Sequence, residues 1–312
     1  MAKYPYRGLI GTLRHLEQWT RPDISCALNI LSTHQANPGK KHWKELKHLF
    51  EYVIGTRQYA LHYGVNANMA AKAMGHDLSG PLTGFVDADW AGCRDTRLSR
   101  TGFVFFSNNG AISWRSRKQT TTALSTCEAE FMAASDAGCE NLFLRWLYKT
   151  IDNVVHQDDA ATAPTMLSGA LVDTDIDNYM TDKDAHKEQR FYSNERPVSV
   201  PAVDMPPTIL GEDNTGAIHT SNNPTLHKRM KHVDIKVHRI REFVRKGSAK
   251  LWYVPTAEQI GDIMTKNLGP QLFKRFRDCL VQPTTTTPLV LLARGVIGVQ
   301  KRHKKRPKPH WM

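Results

Sequence analysis

Leu82-Thr-Gly-Phe-Val-Asp-Ala-Asp-Trp90 decides the fold. The segment reads as a strand that ends in two acids, Asp87 and Asp89, on the same face two residues apart. A carboxylate set against an apolar strand is costly to desolvate unless it is paired or holds a metal. Working outward, Gly102–Ser107 reads as a second strand and Ala111–Arg117 as a third, joined by the Asn-Gly hairpin turn Asn108-Asn109-Gly110. A long helix is expected from about Leu124 to Tyr148, with Met132, Leu142, Trp146 and Leu147 among its apolar positions. Ser125-Thr-Cys-Glu128 fits a capping box, which gives Glu128 a structural task. Glu130 lies about 200° around the helix from Glu128 and has no such task, so it is the functional candidate.

The pattern resumes after residue 206. Thr208–Glu212 is a short strand delivering Asp213 at its carboxyl end, and Asn214–Ser221 starts a helix. A basic amphipathic helix over 233–246, a strand over 250–254, a turn at Pro255 and a helix over 258–266 carrying Asp262 complete the set. Asp87, Glu130, Asp213 and Asp262 therefore stand where elements begin or end. Converging in a basic protein, they would suit a pair of Mg²⁺ ions acting on a phosphodiester.

The 312 residues carry a formal charge of +12 that is unevenly spread. Residues 151–206 sum to −7, the tail 301–312 to +6 and the rest to +13. A basic body points to a polyanion, nucleic acid before a membrane surface. The five cysteines form no Cys-x-x-Cys pair and are expected as reduced, buried thiols. Met1-Ala-Lys-Tyr-Pro-Tyr-Arg lacks the apolar core of a secretory signal, and Pro288-Leu-Val-Leu-Leu-Ala is too short to span a bilayer, so no membrane partner is expected.

In residues 1–63, Thr20 is an expected N-cap for a helix over 23–34, Asn37-Pro38-Gly39 stops it, and His42–Ile54 is an amphipathic helix. Residues 64–80 read as a linker. The segment 151–206 is rich in Asp, Ala, Thr and Pro without periodicity and reads as an acidic, disordered insertion. Residues 283–312 form a basic tail, with disorder as the default over a nuclear-import or nucleic-acid-binding arm.

The element order β-β-β-α-β-α-β-α, with acids at these four places, is that of ribonuclease H. Residues 84–150 and 207–268 resemble the ribonuclease H domain of copia-type LTR-retrotransposon Pol polyproteins. The resemblance rests on Asp87-Ala-Asp-Trp-Ala-Gly, Ser99-x-Thr-Gly-Phe-Val-Phe, Ile112-Ser-Trp-Arg-Ser-Arg-Lys-Gln, Ala123-Leu-Ser-Thr-Cys-Glu-Ala-Glu-Phe-Met-Ala, Glu212-Asp-Asn-x-Gly-Ala-Ile, Lys231-His-Val-Asp-Ile and Tyr253-Val-Pro-Thr-x-Glu-Gln-Ile-x-Asp-Ile-Met-Thr-Lys. Residues 4–63, with Thr20-Arg-Pro-Asp-Ile and Asn37-Pro-Gly-Lys-x-His-Trp, resemble the thumb and connection at the end of the reverse transcriptase.

The resemblance implies an α/β fold with a mixed five-stranded sheet over 81–150 and 207–268, preceded by a small helical reverse-transcriptase remnant. It implies hydrolysis of the RNA strand of an RNA:DNA hybrid with two Mg²⁺ (or Mn²⁺) ions held by Asp87, Glu130, Asp213 and Asp262. The remainder of the polyprotein is the implied protein partner, and a cytoplasmic virus-like particle with nuclear entry the implied location. Three alternatives stand beside this reading. Asp89 is open as first ligand in place of Asp87. His227, His232 and His238 allow a zinc site but lack a Cys-x-x-Cys pair. An inactive relic that keeps nucleic-acid binding would share the fold. Polymerase activity is not expected from this segment alone, since it holds no Asp-Asp motif in its reverse-transcriptase part.

Overall fold

A computed structural model describes residues 4–64, 67–157, 205–222 and 234–284. The helices are α1 (Tyr6–Trp19), α2 (Ser25–Ser32), α3 (Lys40–Gly55), α4 (Met69–Ala73), α5 (Thr126–Gln157), α6 (Thr215–Asn222), α7 (Asp234–Arg245), α8 (Asp262–Thr265) and α9 (Pro270–Leu280). The strands are β1 (Tyr59–Ala60), β2 (Thr83–Asp89), β3 (Arg100–Ser107), β4 (Gly110–Lys118), β5 (Thr208–Glu212), β6 (Ala249–Tyr253) and β7 (Gln282–Pro283). Five of the strands form one mixed sheet in the order β4-β3-β2-β5-β6. The β4-β3-β2 part is antiparallel, whereas β2-β5 and β5-β6 run parallel. This is the ribonuclease H-like arrangement.

Side-chain alternation along the strands produces two apolar layers. Phe103 and Phe105 of β3 join Val86, Leu210 and Leu251 in a core closed by α5 and α7. Val104 and Phe106 face the other way, joining Phe85, Val254, Ile263, Met264 and Phe276 in a core closed by α4, α8 and α9. A strand buried along its whole length, as β3 is, must lie inside the sheet and not at its edge. Asn108 and Asn109 both adopt positive φ, as the tight turn between β3 and β4 requires.

A third cluster, Tyr6, Ile10, Leu13, Ile24, Leu28, Leu31, Leu46 and Leu49, packs α1, α2 and α3 together. Arg21 and Asp23 form a buried bidentate pair at 2.9 and 2.7 Å, and Tyr52 (2.6 Å to Asp23) and Thr56 (2.7 Å from Arg21) take up the remaining valences. Thr20 is spent at the end of α1, where its hydroxyl donates to the Leu16 carbonyl at 3.3 Å, so the sequence-predicted cap is not formed. A 3₁₀ turn at Pro22–Ile24 then precedes α2. The helical unit is tied to the sheet by Trp114 Nε1 donating to Glu17 O (2.9 Å) and by Arg100 donating to Asn29.

Three boundaries differ from the sequence reading. Residues 67–80 are not a linker but carry α4, with Ala71, Met74 and Leu78 buried. Asn68 pins this segment: its amide donates to Cys279 O (2.7 Å) and Asn109 O (3.1 Å), and its oxygen caps Ala71 N. The packed body extends past residue 268 through α9, and β7 pairs with β1 to join the segment after α9 to the segment after α3. Finally, α5 continues to Gln157, so the region read as an insertion begins inside a helix. Residues 158–204 and 285–312, which hold most of the acidic segment and of the basic tail, lie outside the described residues, as do His227 and His232.

Candidate metal centre

The site lies where β2 and β5 separate. Their parallel ladder ends with Phe85 opposite Gly211, so the residues that follow, Asp87 on β2 and Asp213 beyond β5, face an opening between strands. Gln259 holds that opening. Its side chain is fully buried, Nε2 donates to Val86 O at 3.0 Å and Gly211 O at 3.2 Å, and Oε1 accepts from Gly261 N at 3.1 Å. One amide thus replaces the missing ladder bonds and fixes the turn into α8.

Across the opening stands the first turn of α5. The Glu128 carboxylate accepts from Leu124 N at 2.7 Å, and Ser125 Oγ accepts from Glu128 N at 3.2 Å. With that end capped, Glu130 points inward. Gln119 sets the helix against β3 by donating to Ala129 O (3.0 Å) and Thr101 Oγ1 (3.1 Å).

Asp87, Glu130 and Asp213 each bring one carboxylate oxygen into a group lying within 4.8 Å of one another. Asp87 is fully buried and Glu130 is 5 % exposed, whereas Asp213 is half-buried and accepts from Thr256 Oγ1 at 2.9 Å. Glu130 Oε2 is buried without a hydrogen-bond partner. Three converging carboxylates with an orphaned buried oxygen fit a hard divalent cation, which takes oxygen ligands of this kind. Among the described residues this is the one group of three such side chains, and it contains no histidine or cysteine. The thiols of Cys26 and Cys279 are unreactive by their setting, pushed up to about 11 and about 12 by burial.

Asp262 stands beside this group and not in it. Its carboxylate meets Lys266 Nζ at 2.8 Å, and the same ammonium lies 3.0 Å from Asp87 Oδ1. Thr265 donates its hydroxyl to Asp87 Oδ2, so both oxygens of Asp87 are engaged by α8 and the residue after it. Asp89 is half-buried and outside the three-carboxylate group. Burial and the neighbouring Asp87 raise its pKa above the ordinary carboxylate range.

The crowding of acids shows in their protonation. Burial first, and then Glu212 and Asp87, push Glu130 well above the usual range. Burial likewise raises Glu212, and burial followed by Asp87 raises Asp262 to about 7. Lys266 is drawn down by burial, but Asp87 and Asp262 outweigh this and hold it above its ordinary value. Divalent charge would relieve these repulsions.

Searches against known proteins place the sequence. It is 33 % identical over 266 residues, 85 % of the chain, to the retrovirus-related Pol polyprotein from transposon TNT 1-94 of Nicotiana tabacum. It is 29 % identical over 271 residues to that from transposon RE2 of Arabidopsis thaliana. The chain belongs to the copia-type retrotransposon Pol polyproteins. It spans only 15 % and 14 % of the lengths of those two Pol relatives. A secreted RxLR effector protein of Plasmopara viticola is 38 % identical over 144 residues, 46 % of this chain and 94 % of that protein. No family model and no solved structure matches the chain.

For this Pol chain the site holds four residues that sequence reading passed over. Glu212, fully buried, accepts from Asn214 N at 3.1 Å through one oxygen and leaves Oε2 unpartnered. Gln259, Thr265 and Lys266 stood inside the quoted Tyr253–Lys266 string, but no local pattern marks a glutamine that bridges two strands. The basic helix α7 is partly committed elsewhere, since Arg241 Nε donates to Thr220 O at 3.0 Å.

Gly102 connects packing to the site. It is the cross-strand neighbour of Asp87, and a Cβ placed on it would lie 2.5 Å from both Met264 Cβ and Thr265 Cγ2. Gly102→Ala is expected to destabilise the chain by about 1–3 kcal/mol through overpacking. Because α8 must move away from β3, Asp262 and Lys266 shift relative to Asp87, and divalent-ion affinity falls as well. Thermal melts and an Mn²⁺ titration of the variant check both effects. Unchanged melting would mean that α8 adjusts freely.

Proposed function

We propose that this chain carries the ribonuclease H centre of its polyprotein and hydrolyses the RNA strand of RNA:DNA hybrids. The observation that carries the reading is the convergence of Asp87, Glu130 and Asp213 within 4.8 Å beside an unpartnered Glu130 oxygen. A bound Mg²⁺ or Mn²⁺ would supply a water of lowered pKa and charge stabilisation at the phosphoryl oxygens. Asp87, Glu130 and Asp213 would hold it, and Asp262 would serve as the fourth carboxylate on the α8 side. Thr265 orients Asp87, and Gln259 keeps the strand ends apart so that the carboxylates meet. The basic body attracts the phosphodiester backbone, which raises encounter rates without choosing sequence. Residues 1–63 are read as the end of the reverse transcriptase, and the rest of the polyprotein as the protein partner. Among the described residues no helix is long and apolar enough to cross a membrane.

The test uses the full chain with an end-labelled RNA:DNA hybrid and, in parallel, duplex DNA. Cleavage of the RNA strand is expected with Mg²⁺ or Mn²⁺ and not with chelator, and the DNA duplex should stay intact. Hybrid binding without cleavage under either metal would replace this reading with that of a binding relic.

A further inference from the structure

Lys266 places a fixed cation within the carboxylate cluster. Its ammonium lies 3.0 Å from Asp87 Oδ1 and 2.8 Å from Asp262 Oδ1, and both acids are at least 98 % buried. The backbone that carries it is held from two sides. Lys266 N donates to Asp262 O at 2.9 Å, and Cys26 Sγ of α2 reaches Lys266 O at 3.8 Å. The two carboxylates it bridges belong to different elements, β2 and α8, so the lysine also clips α8 to the sheet beside the three-carboxylate group.

This divides the centre in two. Asp87, Glu130 and Asp213 bring oxygens together with Glu130 Oε2 unpartnered, so that side keeps a ligand atom that no protein group occupies. Asp262 has its charge matched by an ammonium that Asp87 shares. A divalent ion entering between Asp87 and Asp262 meets like charge at contact distance, whereas one entering on the Glu130 side does not. We propose that Lys266 is a tethered cation filling the Asp87–Asp262 half of the centre. The resting chain then takes up one divalent ion readily, and a second only by displacing the ammonium. The proposal rests on the metal-centre reading above. It makes Lys266 a positioning residue that sets metal stoichiometry. It also links entry of the second ion to substrate, because a phosphodiester gives the displaced ammonium another anionic partner.

Mn²⁺ titration of the full chain at neutral pH, with free Mn²⁺ followed by electron paramagnetic resonance, decides the matter. Wild type should bind one ion, with a second at least about tenfold weaker. Lys266→Met and Lys266→Gln should tighten that second ion by about tenfold or more. Thermal melts show whether each variant is folded. Two equally tight ions in wild type would overturn the proposal whether or not the variants fold. So would a second-ion affinity left unchanged in a folded variant. Absence of Mn²⁺ uptake by every form would overturn the metal-centre reading together with it, whereas one ion bound alike by all forms would overturn the role of the lysine alone.

Discussion

If the chain cleaves hybrids as proposed, Asp87→Asn is expected to lower that cleavage by at least about 10³-fold while the chain stays folded. Asp87 is the residue on which the site converges. It belongs to the group with Glu130 and Asp213, accepts the Thr265 hydroxyl and shares Lys266 with Asp262. Asparagine keeps the side-chain shape and one acceptor oxygen but removes the charge that a divalent ion needs. The same charge raises Glu130, Asp262 and Asp89, so its removal relieves repulsion as it weakens the lysine contact. These opposing effects keep the change in stability within about 2 kcal/mol. Single-turnover cleavage, Mn²⁺ uptake and circular dichroism of the variant are the measurements. A rate within tenfold of wild type would remove Asp87 from the chemistry. Asp89→Asn is the control for its neighbour on the same strand, and its rate should stay within about tenfold of wild type.

The sheet was legible where sequence and tertiary structure ask the same thing of a residue. The apolar run Phe103–Phe106 and the paired asparagines before Gly110 specify the β3-β4 hairpin locally. Glu128 was likewise legible, because a cap is a three-residue relation. The elements that were missed depend on distant partners. Helix α4 is five residues long and is held by Asn68 reaching Cys279, a contact no local pattern can announce. In the site, Glu212 and Asp213 are adjacent acids at the end of a five-residue strand, where parity alone does not say which one turns inward. Both are placed by the splay of β2 from β5, and that splay is set by Gln259. Lys266 follows the same logic: its meaning comes from Asp87, 179 residues away.

Without divalent ions the chain should melt higher near pH 6 than near pH 8, and divalent ions should help most at the higher pH. The sign follows from the acids. The Asp262 carboxyl is raised from 3.8 to about 7, and Glu130 and Glu212 stand well above 4.5. The folded chain therefore holds protons that the unfolded chain has released. Stability from these groups is fully present below their unfolded values and is lost as pH rises through the folded ones. Lys266 is raised, so its stabilising contribution persists across this range and does not alter the slope. His34 works in the opposite direction, being held below its ordinary value by burial and His42, and His34→Gln removes that effect. A tenfold change in proton affinity is worth about 1.4 kcal/mol, which sets about 4 kcal/mol as the ceiling for Asp262, a shift in which the lowering by Lys266 is already included. Metal uptake requires the deprotonated acids and tightens as pH rises. An ion at about a hundred times its Kd adds about 2.7 kcal/mol, enough to offset much of the loss near pH 8. Melting curves at the two pH values, with chelator and with saturating Mg²⁺ or Mn²⁺, test this directly. A metal-free chain that gains stability from pH 6 to pH 8 would show that these acids are not buried together as described. Glu130→Gln and Glu212→Gln should each flatten the metal-free slope, but only Glu130→Gln should also abolish the metal response, because Glu130 belongs to the three-carboxylate group and Glu212 does not.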